Sequence, residues 1–382
     1  MCGPRHIIHH ILCIFIIMIK MVNTKGMTIV LTGGGTAGHV LPHIALLPHL
    51  RKQFKKIYYI GGTNPAERQI IEREGIEFFP LECVKLRRGL NLKNLARNLM
   101  IPVGFVKSVK TAGRILDELK PDIIFSKGGF VALPVVKAAS SRNIPVVAHE
   151  SDATLGLANK LSVKHCTKIC TTFKIDDGRG NGKFVHTGSP IRPTIYKGSK
   201  DVVAKRHNLT DKRNLLVMGG SLGAARINQS VLDAAQELTK VYNVIHVCGR
   251  GKVSPVENIK NYIQLEFVDD VENYIAWADV VVSRAGSNAL CELAVLGKPS
   301  LFIPLSTGRG DQVHNVRQLE ESSAALVLLE DNLSPCTLAS SIETVWQNRE
   351  LYSANFETLI KDGTKDIYNT IYSVVSHADD TK

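Results

Sequence analysis

The sequence predicts an α/β protein made of two doubly wound parallel-sheet units in series. Three observations carry that reading. From residue 28 onward, short apolar runs alternate with stretches of helical periodicity, the pattern of parallel strands covered by helices. The pattern starts twice in the same way: TIVLTGGGTAGH at 28–39 and NLLVMGGSLGAAR at 214–226 each run from apolar strand through glycine turn into helix. The chain has 382 residues, 44 % apolar and 21 % charged, which is enough for two cores and too balanced for a disordered or coiled-coil protein.

Residues 1–26 come first. Arg5 precedes nine apolar residues at 11–19, like the hydrophobic part of a signal peptide, but Lys20 ends the run and no A-x-A site follows. A bilayer needs roughly 20 such residues. The segment is read as an extension or weak anchor outside the fold. The first unit, 27–191, is expected to place strands at 28–32, 56–60, 78–81, 122–126, 145–148 and 168–172, with helices at 67–74 and 106–119, the latter stopped by Pro121. GSPIRPTIYKGSK at 188–200 holds two prolines and two glycines and suits a joint. The second unit, 192–363, is expected to place strands at 215–218, 244–248, 280–283 and 300–303 and helices at 224–238, 274–278 and 288–296.

The net charge of +12 points to an anionic partner: phosphate, nucleic acid or lipid surface. Its distribution narrows the choice. Residues 27–191 carry 24 Lys and Arg against 12 Asp and Glu, whereas 192–382 carry 20 against 23, so the basicity belongs to the first unit. The eight cysteines form no C-x-x-C pair, and Cys166 and Cys170 read as small apolar residues flanking a strand start. No metal site is expected, and a thiol-reducing compartment fits.

Gly33, Gly35 and Gly38 satisfy G-x-G-x-x-G after a strand, which raises NAD binding. The second strand argues against it, because KKIYYIGG ends in Gly61 and Gly62 where a carboxylate would meet the ribose. Two more glycine turns follow strands, SKGGF at 126–130 and GGSLGA at 219–224, the latter offering the Ser221 hydroxyl. Backbone N–H groups at helix N-termini favour anions, and open α/β sheets collect ligands at the carboxyl ends of strands. The residues therefore imply a phosphorylated ligand between the units. SRAGSNALCE at 283–292 would present the N–H groups of Ser287, Asn288 and Ala289 to a diphosphate. Glu292, one turn on, could accept from ribose hydroxyls or serve as an ordinary capping acid. In GRGDQVHN at 308–315, Asp311 and Gln312 suit sugar hydroxyls.

This ordered set, with HESDATLGLANK, GSPIR and EFVDD, resembles the MurG family of peptidoglycan synthesis, from about residue 28 to 330. The family transfers N-acetylglucosamine from its UDP derivative to undecaprenyl-diphospho-muramoyl-pentapeptide. The resemblance implies the glycosyltransferase B fold with an inter-domain cleft, no cofactor, and a last helix at about 364–382 crossing back to the first domain. It places Val268 against uracil, Glu292 on the ribose, Ser221 and the turn at Ser287, Asn288 and Ala289 on the diphosphate, and Asp311 with Gln312 on the sugar. Arg192 falls near the donor, as do Thr36, Ala37, Gly38 and Asp152, with Thr36 and His39 facing the reacting centre. Phe130 stands where some members carry Tyr, Asp152 where some carry Asn, and Asp311 where some carry Gln.

Single displacement needs a base for the acceptor hydroxyl and positive potential for the leaving diphosphate. His39 leads as base because imidazole titrates near operating pH, and Glu150 is its rival. No D-x-D occurs, so a metal-independent, inverting mechanism is expected. A UDP-N-acetylglucosamine 2-epimerase of the same fold and a non-catalytic sugar-nucleotide-binding protein are the alternatives. Residues 85–107 interleave Arg87, Arg88, Lys93 and Arg97 with leucines, a segment suited to an anionic lipid interface, so peripheral attachment to the cytoplasmic face is expected, with no nucleic-acid partner.

Overall fold

The computed structural model describes residues 26–34, 37–83, 101–175, 182–209, 211–220, 223–255, 259–306 and 310–379. They form two parallel sheets. The first contains β1 (Thr28–Thr32), β2 (Lys56–Gly61), β3 (Glu77–Pro80), β4 (Ile123–Ser126), β5 (Val146–Glu150), β6 (Lys168–Thr171) and β7 (Phe184–His186), in the order β3-β2-β1-β4-β5-β6-β7. The second contains β8 (Arg213–Met218), β9 (Tyr242–Val247), β10 (Tyr262–Leu265), β11 (Val280–Ser283), β12 (Ser300–Phe302) and β13 (Leu326–Val327), in the order β10-β9-β8-β11-β12-β13. Both sheets reverse their winding at the equivalent place, between β1 and β4 and between β8 and β11. Loops leaving two such strands part to opposite faces and open a crevice.

The apolar runs are strands because both sheet faces are covered. Every residue of β1, β4, β5 and β11 is buried, as a sheet packed on two sides requires. The repeat extends to individual hydrogen bonds. The amide of Thr28 at the start of β1 donates to Asp122 Oδ2 at 2.7 Å, and that of Asn214 in β8 donates to Asp279 Oδ2 at 2.8 Å. Each aspartate precedes the neighbouring switch-point strand.

Some elements differ from the sequence expectation. β7, β10 and β13 were not anticipated: all three are short and mostly half-buried, and of the apolar run 324–329 only Leu326–Val327 pairs as a strand. The helix expected over 224–238 is two, Ala225–Asp233 and Ala235–Val241, because Ala234 takes a ψ of −5° between them.

The helix Thr364–Asp379 lies against the first sheet, where Ile367, Ile371 and Val375 join a core with Ile29, Leu31 and Phe125. The chain thus passes between the sheets twice, at 188–191 and 361–364, and the passages are bonded together. Gly363 N donates to Ser189 O at 2.7 Å, and Ile191 N to Thr364 Oγ1 at 2.9 Å. Gly188, at φ +87°, permits this contact, since a Cβ there would stand 2.4 Å from the Lys361 carbonyl oxygen.

Candidate functional site

The glycine loops leave the switch-point strands and meet. A Cβ on Gly129, after β4, would stand 2.5 Å from the Gly34 carbonyl oxygen after β1 and 3.4 Å from His39 Nε2. Only glycine allows that approach. His39 lies in the first turn of the helix Ala37–Gln53, half-buried over the junction. Burial, and then the nearby Lys127 ammonium, push its imidazole down to about 4. This corrects the expectation that His39 titrates near neutrality: at neutral pH it is unprotonated, the form a base needs, though intrinsically a weak acceptor.

Glu150, at the end of β5, is buried, and its carboxylate is fully engaged. It accepts from the amides of Ser151 (2.9 Å), Asp152 (3.1 Å) and Gly156 (2.8 Å) and from Asn159 Nδ2 (2.9 Å). Such a carboxylate organises the loop 150–156. Asp152, at its tip, accepts from Asn315 Nδ2 at 3.0 Å.

From the second sheet, β11 runs through Arg284 to Gly286, and the helix Ser287–Val295 starts there with no side chain capping its first N–H groups. Arg284 is held beneath by Glu330 and donates to the Ile303 carbonyl at 3.1 Å. Glu292 projects one turn along and accepts from Arg192 Nε at 2.7 Å, both side chains being largely buried. The two residues read separately from the sequence are therefore partners.

Two amides join the domains across this ground. Pro42 has no N–H to give the Gly38 carbonyl four residues back, which helical pairing would otherwise use. Asn288 Nδ2 donates to that carbonyl at 2.9 Å. Deeper, Asn315 accepts from Ala153 N at 2.8 Å while donating to Asp152 and to the Ala285 carbonyl. Leu41, Pro42, Pro190, Arg192, Asn288 and Glu292 line a small cleft beside the Asn288 contact.

The structure thus brings Gly38, Asn288, Glu292 and Arg192 to one place, while Asp152 meets the second domain at Asn315. Ala37 opens the helix that carries His39, and Ser287 and Ala289 flank Asn288. Val268 follows β10, and Asp311 and Gln312 start the helix Asp311–Glu321 after β12, so they stand further out along the carboxyl edge of the second sheet. Gln312 Oε1 accepts from Leu305 N at 2.9 Å. Thr36, Ser221, Arg87, Arg88, Lys93 and Arg97 lie outside the described residues. Sequence reasoning missed Asn315 and Lys127. Asn315 closes the stretch GRGDQVHN with no local sign of burial, and nothing local marks a lysine as buried.

The comparisons with known proteins agree with one another. The glycosyltransferase family 28 N-terminal domain profile matches residues 29–171, and the family 28 C-terminal domain profile matches 214–371. A protein of Clostridium botulinum (strain Loch Maree / Type A3) is 44 % identical over 351 residues, covering 90 % of this chain and 98 % of its own, and is named UDP-N-acetylglucosamine–N-acetylmuramyl-(pentapeptide) pyrophosphoryl-undecaprenol N-acetylglucosamine transferase. One of the same name from Lachnospira eligens is 42 % identical over 355 residues, covering 88 % and 99 %. Among solved structures, Acinetobacter baumannii MurG superposes with a TM-score of 0.71 at 23 % identity, covering 91 % of this chain and 99 % of that one. A Neisseria meningitidis UDP-GlcNAc 2-epimerase bound to UDP-GlcNAc gives 0.59 at 14 % identity, covering 92 % and 100 %. Likeness at these identities is one of fold.

Proposed function

The chain belongs to glycosyltransferase family 28, and on that premise we propose that it transfers N-acetylglucosamine from UDP-N-acetylglucosamine to undecaprenyl-diphospho-muramoyl-pentapeptide in peptidoglycan synthesis. The observation that carries this reading is the row of donor-side positions along the carboxyl edge of the second sheet: Val268 after β10, the glycine turn after β8, the Ser287 helix after β11 and Asp311 with Gln312 after β12. Strands stand about 4.8 Å apart, so the row spans about 19 Å, room for a nucleoside diphosphate and its sugar. Arg192 orients Glu292 for the ribose hydroxyls, and the uncapped N–H groups of Ser287, Asn288 and Ala289 meet the diphosphate.

In the reaction, the acceptor oxygen forms a bond to the anomeric carbon from the face opposite UDP. The bond to UDP breaks, its electron pair leaving with the diphosphate, and the hydroxyl proton passes to His39. This is an inverting single displacement with no metal, a reading supported by the absence of D-x-D from the sequence. Glu150 shapes the loop that carries Asp152 and stands behind His39 as the weaker base candidate, its oxygens being taken by four donors. Residues 27–191 with the returning segment 364–382 form the acceptor domain, and 192–363 the donor domain. Incubation with UDP-N-acetylglucosamine alone separates this reading from the epimerase one. Proton NMR should show the donor unchanged, and formation of the 2-epimer would contradict it.

Among the described residues no helix is long and apolar enough to cross a membrane. Attachment is peripheral, through the first domain at the cytoplasmic face, where the soluble donor is available. Support comes from the start of the helix Ile101–Leu119, where Val103 and Val106 are 64 % and 54 % exposed beside Lys107 and Lys110. Each cation near an anionic surface contributes about 1 kcal/mol. Replacing Arg87, Arg88, Lys93 and Arg97 together by Gln is expected to abolish sedimentation with anionic liposomes at low salt, and the wild type should dissociate as salt screens the contact. Unchanged binding by the quadruple variant would place the docking surface elsewhere.

A further inference from the structure

Lys127 follows β4 directly and is 4 % exposed, a degree of burial that a lysine rarely shows without a partner. Its ammonium is 2.5 Å from His149 Nδ1 and 2.6 Å from Ser151 Oγ. An ammonium only donates, so His149 Nδ1 is the acceptor and its proton sits on Nε2, which donates to the Gly188 carbonyl at 3.0 Å. One face of this group is the first glycine loop. A Cβ built on Gly33 would meet His43 Nε2 at 3.1 Å, Lys127 Cβ at 3.3 Å and His39 Cβ at 3.4 Å, so the His43 imidazole and the stems of Lys127 and His39 pack around one point.

We propose that Lys127 is a positioning residue for the transfer: its ammonium, enclosed beneath both glycine loops, fixes the tautomer through which His149 ties the second loop to Gly188 and sets a buried positive charge beneath the ground on which His39 stands. The inference rests on the reading of His39 as the base. A charge with little water around it acts on its neighbours almost unscreened. The groups that face it are His39 and His43 from the helix Ala37–Gln53, His149, Glu150 and Asp152 from β5 and its loop, Cys170 from β6 and Cys291 from the helix Ser287–Val295. Glu150 and Asp152 are the anions among them, and both oppose the loss of charge that burial alone would impose on Lys127, which is pulled down to about 8. The ammonium is therefore mostly retained at neutral pH. The three imidazoles are all held low, burial first and Lys127 second in each. Entry of the anionic diphosphates above this floor would then strengthen His39 as a base at the moment of reaction.

Two variants separate charge from packing. Lys127→Met removes the cation and its hydrogen bonds, and Lys127→Gln keeps a donor toward His149 without charge. Lys127→Met, which frees the His149 ring, is expected to lower turnover about tenfold with donor Kd within about twofold, whereas Lys127→Gln, which keeps the donor, should retain most of it. The acid limb of kcat/KM should move upward by about one pH unit, since His39 will hold a proton more readily once the positive neighbour is gone. Ring-labelled histidine NMR reads the same shift without depending on activity. Folded variants in which both the acid limb and the His39 titration match the wild type overturn the proposal. Whatever the variants do, a wild-type His39 midpoint above about pH 6 also overturns it. Should His39→Ala stay active, the base assignment fails instead, and the NMR titration still decides the role of Lys127.

Discussion

His39→Ala is expected to lower turnover by roughly two to four orders of magnitude while leaving UDP-N-acetylglucosamine affinity nearly unchanged, the signature of a group used only as the acceptor hydroxyl gives up its proton. The site supports the split. His39 lies over the junction of the two first-domain glycine loops, whereas the donor positions line the second sheet. The sign of the pH dependence follows from its environment. Because burial and Lys127 push the imidazole down to about 4, the active neutral form persists above that value and is lost only as pH falls through it. Activity should thus stay level from neutrality down to about pH 5. Steady-state kinetics with calorimetric donor binding check both parts. If Glu150→Gln abolished turnover and His39→Ala remained near wild type, the two roles would be exchanged.

Glu292→Ala is expected to weaken donor binding by about 1.5–3 kcal/mol, roughly 10- to 150-fold in Kd. Two losses combine. The ribose loses a charged acceptor, and Arg192, whose guanidinium is largely buried 2.7 Å from Glu292, is left without its counter-ion beside the cleft. Burial of the pair keeps the contact from being screened as a surface pair would be. Glu292→Gln should recover part of the loss by keeping an acceptor. Calorimetry showing wild-type affinity in the alanine variant would remove Glu292 from the donor site.

The parts of the fold legible in the sequence were those fixed by local rules. Fully buried strands such as β1 and β4 announce themselves as apolar runs, and the turns that follow them must be glycine because two loops touch at Gly34 and Gly129. Arg192, Asn288 and Glu292 could be singled out from motif and helix position, and they line one cleft. What stayed hidden depends on distant parts of the chain. The bond from Ala153 N to Asn315 spans 162 residues, and nothing near Asn315 signals that a first-domain loop will bury it. The partnership of Arg192 with Glu292 spans 100 residues and could be read only as two separate possibilities. The edge strand β13 is two half-buried residues inside the apolar run 324–329, and pairing with β12, a distant contact, decides which part of that run is strand.

The most direct test of transferase activity is UDP release from UDP-N-acetylglucosamine, followed with and without lipid-linked muramoyl-pentapeptide in anionic vesicles, alongside detection of the lipid-linked disaccharide. Release should depend on the acceptor, match the disaccharide formed mole for mole, and persist at full rate in the presence of a chelator. Donor binding with no acceptor-dependent UDP release would contradict the account and leave a sugar-nucleotide-binding protein without turnover.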